Sequence, residues 1–250
     1  MAAAPRIDHP ISAMGLTFAN ALGLAAGIDR TGAGLTSLAE TGVGHVEVGT
    51  VTDARDIGFE LRPLPAGFRV GINFASPRMG IDAEVIEDYT ALMRGLWPRA
   101  DYLVANLSAP SAGRAGDSPG VEPLIERLAE ARDVLARDTG RAKPLLVKAR
   151  AGPFGAPLPR ALVAALRLGL QGIVLVTSWT ERLSECCNEL GDAAVISVGG
   201  IATAEEAAAR LSAGAQLVQT YSAYAGDGPA GVRRLLGHSS IEGGHEWSPW

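Results

Sequence analysis

PLLVKARAGPFGAPLPRALVAALRLGLQGIVLVTSWTERLSECCNELGDAAVISVGG, residues 144–200, repeats one pattern: a short apolar run, a turn, a helical stretch, another apolar run. The runs PLLVKA (144–149), GIVLVT (172–177) and AAVISV (193–198) are nearly continuously apolar rather than alternating. Parallel strands covered on both faces read that way. Between them, Pro159–Leu168 and Glu181–Leu190 carry the helical period. Working outward, the same runs recur at ALGLAA (21–26), HVEVGTV (45–51), RVGINF (69–74), DYLVANL (101–107) and AQLVQTY (215–221). Further helical stretches fall at Thr36–Thr41, Ala83–Leu96, Val121–Asp138, Ala204–Ala213 and Ala230–Leu236. Thr203 and Glu206 have the spacing of a capping box at the start of one of them.

Eight strands with intervening helices in 250 residues predict a single-domain α/β protein, a (β/α)8 TIM barrel over residues 1–237 with a tail at 238–250. A doubly wound open sheet is the alternative, because counting strands does not show closure. The second crossover, DARDIGFELRPLPAG (53–67), offers no helical pattern and is expected to be short and irregular.

Composition narrows the function. With 47% hydrophobic and 20% charged residues the chain can bury a large core, which excludes a disordered protein. A net charge of −5 without a basic cluster argues against nucleic acid. The longest apolar stretch, Ala161–Trp179, is broken by Arg167 and Gln171 and reads as helix then strand, so no membrane segment is expected. The N-terminus shows neither a signal nor a transit pattern, and adjacent Cys186 and Cys187 suit neither a disulfide framework nor a four-ligand zinc site. These features lead us to expect a cytoplasmic protein without a metal.

In a barrel, chemistry sits where strands end and βα loops begin. Those ends carry Ala26, Gly27, Asp29 and Arg30; Thr50 and Thr52; Asn73; Asn106 and Ser108; Lys148; Thr177 and Ser178; Gly199 and Gly200; Tyr221 and Ser222. Gly199-Gly200 before a capped helix, with Ser222 after the last strand, fits a phosphate cradled by backbone N–H groups, or else merely a tight turn. Lys148 is one of only two lysines, and a compact ammonium on an apolar strand suits an anionic ring or oxyanion. The alternative is a lysine snorkelling at the rim. Asp29-Arg30 could be a plain surface ion pair.

Several blocks together resemble the dihydroorotate dehydrogenases, especially the membrane-associated class: MGLTFANALGLAAGIDRTG (14–32), HVEVGTVT (45–52), VGIN (70–73), EDYTALMRGLWPRADYLVANLSAP (87–110), PLLVKA, SVGGI (197–201) and GAQLVQTYS (214–222). The resemblance implies an FMN-binding barrel that exchanges a hydride between flavin and dihydroorotate or another heterocyclic small molecule. It assigns Ala26 and Gly27 to the flavin ring, with Thr50, Asn106 and Thr177 around it. Lys148 falls at the flavin's pyrimidine end, and Gly199, Gly200, Tyr221 and Ser222 at the phosphate. Arg30, Asn73 and Asn106 fall on the substrate side. There the pattern departs: the family reads Asn-x-Ser-(Ser or Cys)-Pro-Asn, with a base at the fourth position. This chain has Asn106-Leu107-Ser108-Ala109-Pro110-Ser111. Ala109 cannot take a proton, leaving Ser108 or Ser111 as substitutes beside Lys148.

Set against the resemblance, the family's long segment after the second strand is expected to be essentially absent, its Gly-rich loop between the sixth and seventh strands missing, and its N-terminal helices for quinone access without a counterpart. Three functions therefore stand: an FMN oxidoreductase, a flavin- or phosphate-ligand-binding pseudoenzyme or subunit, and a flavin-free barrel acting on a sugar phosphate. An exposed barrel mouth would favour a homodimer or a partner subunit.

Overall fold

A strand that is apolar on both faces must be covered on both, and in the computed structural model the sheet achieves this by closing on itself. The structure describes residues 7–58, 64–108 and 115–237. It opens with a hairpin, β1 (Ile11–Ala13) and β2 (Leu16–Phe18), followed by eight barrel strands. These are β3 (Leu22–Leu24), β4 (His45–Val51), β5 (Arg69–Phe74), β6 (Tyr102–Asn106), β7 (Leu145–Arg150), β8 (Gly172–Val176), β9 (Ala194–Val198) and β10 (Leu217–Thr220). Neighbours pair in parallel around the ring, and Val218 of β10 lies opposite Leu22 of β3, which closes the barrel and excludes the open sheet.

The helices are α1 (Leu35–Ala39), α2 (Ala83–Leu96), α3 (Val121–Thr139), α4 (Arg160–Arg167), α5 (Thr180–Leu190), α6 (Ala204–Ser212) and α7 (Ser222–Leu235). The capping box of α6 is formed as expected, Thr203 accepting from Glu206 N and Glu206 reaching back to Thr203 N. In the second crossover the described residues hold only a 3₁₀ turn, Ala54–Asp56, as its sequence suggested. Two differences are informative. The last helix begins eight residues before the expected Ala230, because Gly228 (φ +54) and Pro229 break a continuous helix into two segments that the sequence reading shortened to one. The N-terminal hairpin was not read as strands at all. Its turn residues Met14 and Gly15 both have positive φ (56° and 76°), the geometry of a two-residue hairpin loop.

Side chains alternate across the barrel wall. Outward-facing Val46, Ile72, Leu103, Val147 and Leu175 form the core against the helices. The bottom of the interior is packed by Phe18 from the hairpin, His45 and Tyr102, whose rings meet edge to face with centroids 5.5–6.4 Å apart. Room for those rings comes from glycine. A Cβ on Gly23 would lie 2.2 Å from His45 Nε2, and one on Gly71 2.2 Å from Tyr102 Cζ.

Candidate active site

The upper half of the interior is polar. Glu47 of β4 is fully buried, and its Oε1 accepts from Lys148 Nζ at 2.8 Å and from Asn73 Nδ2 at 2.7 Å. Its Oε2 accepts from Gln219 Nε2 at 2.9 Å. Burial alone would push this carboxyl up, but the Lys148 ammonium and the hydrogen bonds from Lys148, Gln219 and Asn73 outweigh it and hold Glu47 below the usual carboxylate range. The chain of bonds continues toward the mouth: Asn106 Nδ2 donates to Asn73 Oδ1 at 3.0 Å and to Thr50 Oγ1 at 3.1 Å. Asn106 Oδ1 in turn accepts from Ser108 N and Ser108 Oγ, at 2.9 and 2.8 Å. Five of the eight strands, β4, β5, β6, β7 and β10, thus meet on one network.

Lys148 is not a rim lysine, since its side chain is 9% exposed and paired inside the barrel. Asn73, Asn106 and Thr50, residues 56 positions apart at the extremes, are brought into one cluster with it. The turns behave differently. Gly27 has φ +105, and a Cβ there would come 3.2 Å from Tyr221 Cε2, so the first and last strand ends meet at this point. Gly199 and Gly200 have φ +111 and +67, and Gly200 N–H has no partner among the described residues. Behind that turn the buried Arg210 of α6 donates to Thr177 O at 2.9 Å and Gly199 O at 3.0 Å, bracing two strand ends. Thr177 Oγ1 accepts from Trp179 N at 3.2 Å, a local contact, and Ser222 Oγ donates to Ile201 O at 3.2 Å. Ala26 is half-buried beside Gly27, and Tyr221 and Arg30 are exposed.

Asp29 does not form the surface ion pair considered above. It is buried and accepts from Thr31, Gly32 and Gly34 N–H, a loop-closing role that Arg30 plays no part in. Ala109 and Ser111 lie outside the described residues, as does the tail at 238–250. Ser108 donates its hydroxyl to an amide oxygen, and among the described residues no carboxylate or imidazole bonds to it. A cavity of about 560 Å³ opens beside this strand end, lined by Leu107, Ala149, Arg150, Gly152 and Pro157 among others. Among the described residues no three His, Cys, Asp or Glu side chains gather as a metal would require, and no helix is long and apolar enough to cross a membrane.

Sequence reading missed Glu47, Gln219 and Arg210. The signal for Glu47 is present in hindsight: His45 and Glu47 at alternate positions of an otherwise apolar strand must face the same side.

The fold and site define a TIM-barrel protein whose polar side chains gather at the C-terminal half of the barrel, where enzymes of this fold work. The family model described as dihydroorotate dehydrogenase matches residues 160–238. A dihydroorotate dehydrogenase (quinone) of Alkalilimnicola ehrlichii is 31% identical over 92% of this chain and 85% of its own length. One of Kineococcus radiotolerans is also 31% identical, over 90% and 79%. A crystal structure of DHODH from Eimeria tenella in complex with ferulenol superposes with a TM-score of 0.77 at 21% identity, covering 92% of this chain and 83% of that one. The chain belongs to the dihydroorotate dehydrogenase family, a family of oxidoreductases.

Proposed function

We propose that this chain is an FMN-dependent oxidoreductase of the dihydroorotate dehydrogenase type, acting on dihydroorotate or a related heterocycle. The observation that carries the reading is the buried Glu47–Lys148 pair, joined through Asn73 and Asn106 to the mouth. The residues present fit the cofactor. Gly27 and Gly199 have positive φ, and a Cβ there would come 3.2 Å from the Tyr221 ring and 3.0 Å from Thr177 O, so both turns require glycine and present bare backbone at the strand ends. The donor set is an ammonium, two amides and hydroxyls, suited to a ring of carbonyls and nitrogens.

FMN, when bound, supplies the two-electron hydride chemistry. Lys148 would set an ammonium against negative charge at the ring's pyrimidine end, with Ala26, Gly27, Thr50, Asn106 and Thr177 around the ring. Gly199, Gly200, Tyr221 and Ser222 would hold the phosphate, aided by the N-terminus of α7. On the substrate side Arg30, Asn73 and Asn106 would bind, with Ser108 or Ser111 moving the proton that Ala109 cannot accept. The cavity beside Leu107 and Arg150 gives room for a heterocycle larger than dihydroorotate. The free thiols Cys186 and Cys187 support a cytoplasmic location. The exposed Phe154 and Trp179 on loops at the mouth support a homodimer or partner subunit, which sedimentation velocity would reveal as more than a 25.8 kDa species.

A visible spectrum of the purified protein, with identification of any chromophore, tests the cofactor, and a dihydroorotate assay with a dye acceptor tests the reaction. Loss of a positioned base costs about 10²–10⁴-fold, so turnover of dihydroorotate is expected to be slow by that factor against a relative with the full motif. Bound FMN with no turnover on any screened heterocycle would favour the binding-only reading that Ala109 motivates. A colourless protein that refuses added FMN would remove the flavin.

A further inference from the structure

A carboxylate can only accept hydrogen bonds, so every amide that touches it must turn its nitrogen inward. Glu47 therefore decides the orientation of the groups above it. Asn73 presents Nδ2 to Glu47, which leaves its Oδ1 for Asn106. Asn106 must then present Nδ2 downward, which leaves its Oδ1 for Ser108. The same carboxylate is the sole anion within salt-bridge distance of Lys148 among the described residues. The resemblance assigns Glu47 no role, and the proposed function uses it only as the buried partner of Lys148.

We propose that Glu47 is the positioning residue of the mouth: it holds the Lys148 ammonium at the barrel interior and sets the direction of the Asn73–Asn106–Ser108 chain. The inference deepens the flavin reading and in part rests on it, since the ligand whose charge Lys148 meets is taken to be FMN. With Glu47 in place the pair is neutral overall, and added negative charge on a reduced ligand meets an ammonium already offset by a carboxylate. Removing the carboxylate uncovers the ammonium. The other titratable groups facing Glu47 are His45 and Tyr102 below it, and both are fully buried at the barrel floor.

The chain's two lysines make a direct readout practical. Flavin-free protein is treated with trace acetic anhydride at several pH values, and acetylation of Lys148 is measured by mass spectrometry against Lys143, which bonds to Trp97 O and Ala100 O well away from the site. In Glu47→Gln the ion pair that engages the Lys148 amine is gone, so Lys148 is expected to acetylate about tenfold faster relative to Lys143 at pH 8. Glu47→Asp should fall between the two. If Glu47→Gln does not fold, the Asp variant against wild type decides: faster labelling supports the proposal and equal labelling overturns it. In flavin-loaded protein the midpoint potential of Glu47→Gln should rise, and an unchanged potential overturns the electrostatic half. Because the labelling needs no flavin, a colourless protein would sink the cofactor reading while leaving the Glu47 result standing or falling by itself.

Discussion

Two residues of one strand, His45 and Glu47, point into the same barrel and meet opposite environments one pleat apart. At the floor, His45 is fully buried among Phe18 and Tyr102, and burial pushes its imidazole down to about 4 against the opposing charge of Glu47. Neither of its ring nitrogens bonds to anything among the described residues, and the Tyr102 hydroxyl and its neighbour Gln219 make no hydrogen bond of ordinary geometry with each other. One layer up, Glu47 is equally buried and is bonded by three donors, one of them a cation. The floor stays neutral because desolvation of the imidazole outweighs the attraction of Glu47, which makes no hydrogen bond to it. The upper layer stays charged because Lys148 and two amides together outweigh the same desolvation. Burial depth is equal in both layers, so the partners, supplied by β5, β7 and β10, decide which one can hold charge.

The largest effect should come from breaking the upper layer. Lys148→Met leaves Glu47 as an uncompensated buried charge, which costs about 3–5 kcal/mol. Urea unfolding should show that loss, and the double variant Glu47→Gln/Lys148→Met should recover a good part of it. A fully stable single variant would mean the two layers do not differ as described.

Acid distinguishes the layers next. His45 has an ordinary value of 6.5 when unfolded and about 4 when folded. Its neutral form therefore contributes stability that is complete above about pH 6.5 and is lost as the pH falls toward 4, roughly 3 kcal/mol in all. About 2 kcal/mol of that should disappear between pH 7 and 5, and His45→Leu should abolish this slope. Glu47, held below its usual value, contributes stability that is lost only as the pH falls below the carboxylate range, so its share appears in a separate, more acidic window.

The floor's tolerance for volume comes third. Gly23→Ala would drive a methyl into the His45 ring, and overpacking of this kind costs about 1–3 kcal/mol. Combining it with His45→Ala should restore part of the loss in calorimetry. Last and smallest, Tyr102→Phe removes a hydroxyl whose polar neighbour Gln219 lies outside ordinary hydrogen-bond geometry, so stability should change by less than about 0.5 kcal/mol or rise. A cost well above 1 kcal/mol would show that the floor is a bonded polar layer after all and would erase the contrast with Glu47.

Much of this molecule was legible beforehand, for local reasons. The eight apolar runs and most helices lie where the residues placed them, because covered parallel strands need unbroken apolar runs and each helix carries its own period. Ala83–Leu96 matches to the residue. Short elements were harder: β1 and β2 have three residues each, too few for two-residue alternation to stand out. In α7, Gly228 and Pro229 masked the first helical segment, which starts at Ser222 and precedes them. At the site, Lys148, Asn73, Asn106 and Thr50 were picked out as strand-end residues, while Glu47 and Gln219 sit mid-strand and were passed over. Lys148 and Glu47 are 101 positions apart, and Gln219 and Glu47 172, so nothing local announces their contact.

The sequence by itself determined the alternation of strand and helix, the covered parallel character of the sheet and the set of polar strand ends, since each depends on neighbouring residues or one element's period. Only the tertiary structure decided that the sheet closes, that Lys148 faces a carboxylate inside the barrel rather than water at its rim, and that Asp29 caps a loop rather than pairing with Arg30. Closure is a contact between the first and last barrel strands, and the charge of a buried group depends on partners brought from across the chain. Both are properties of the folded arrangement, which no local pattern encodes.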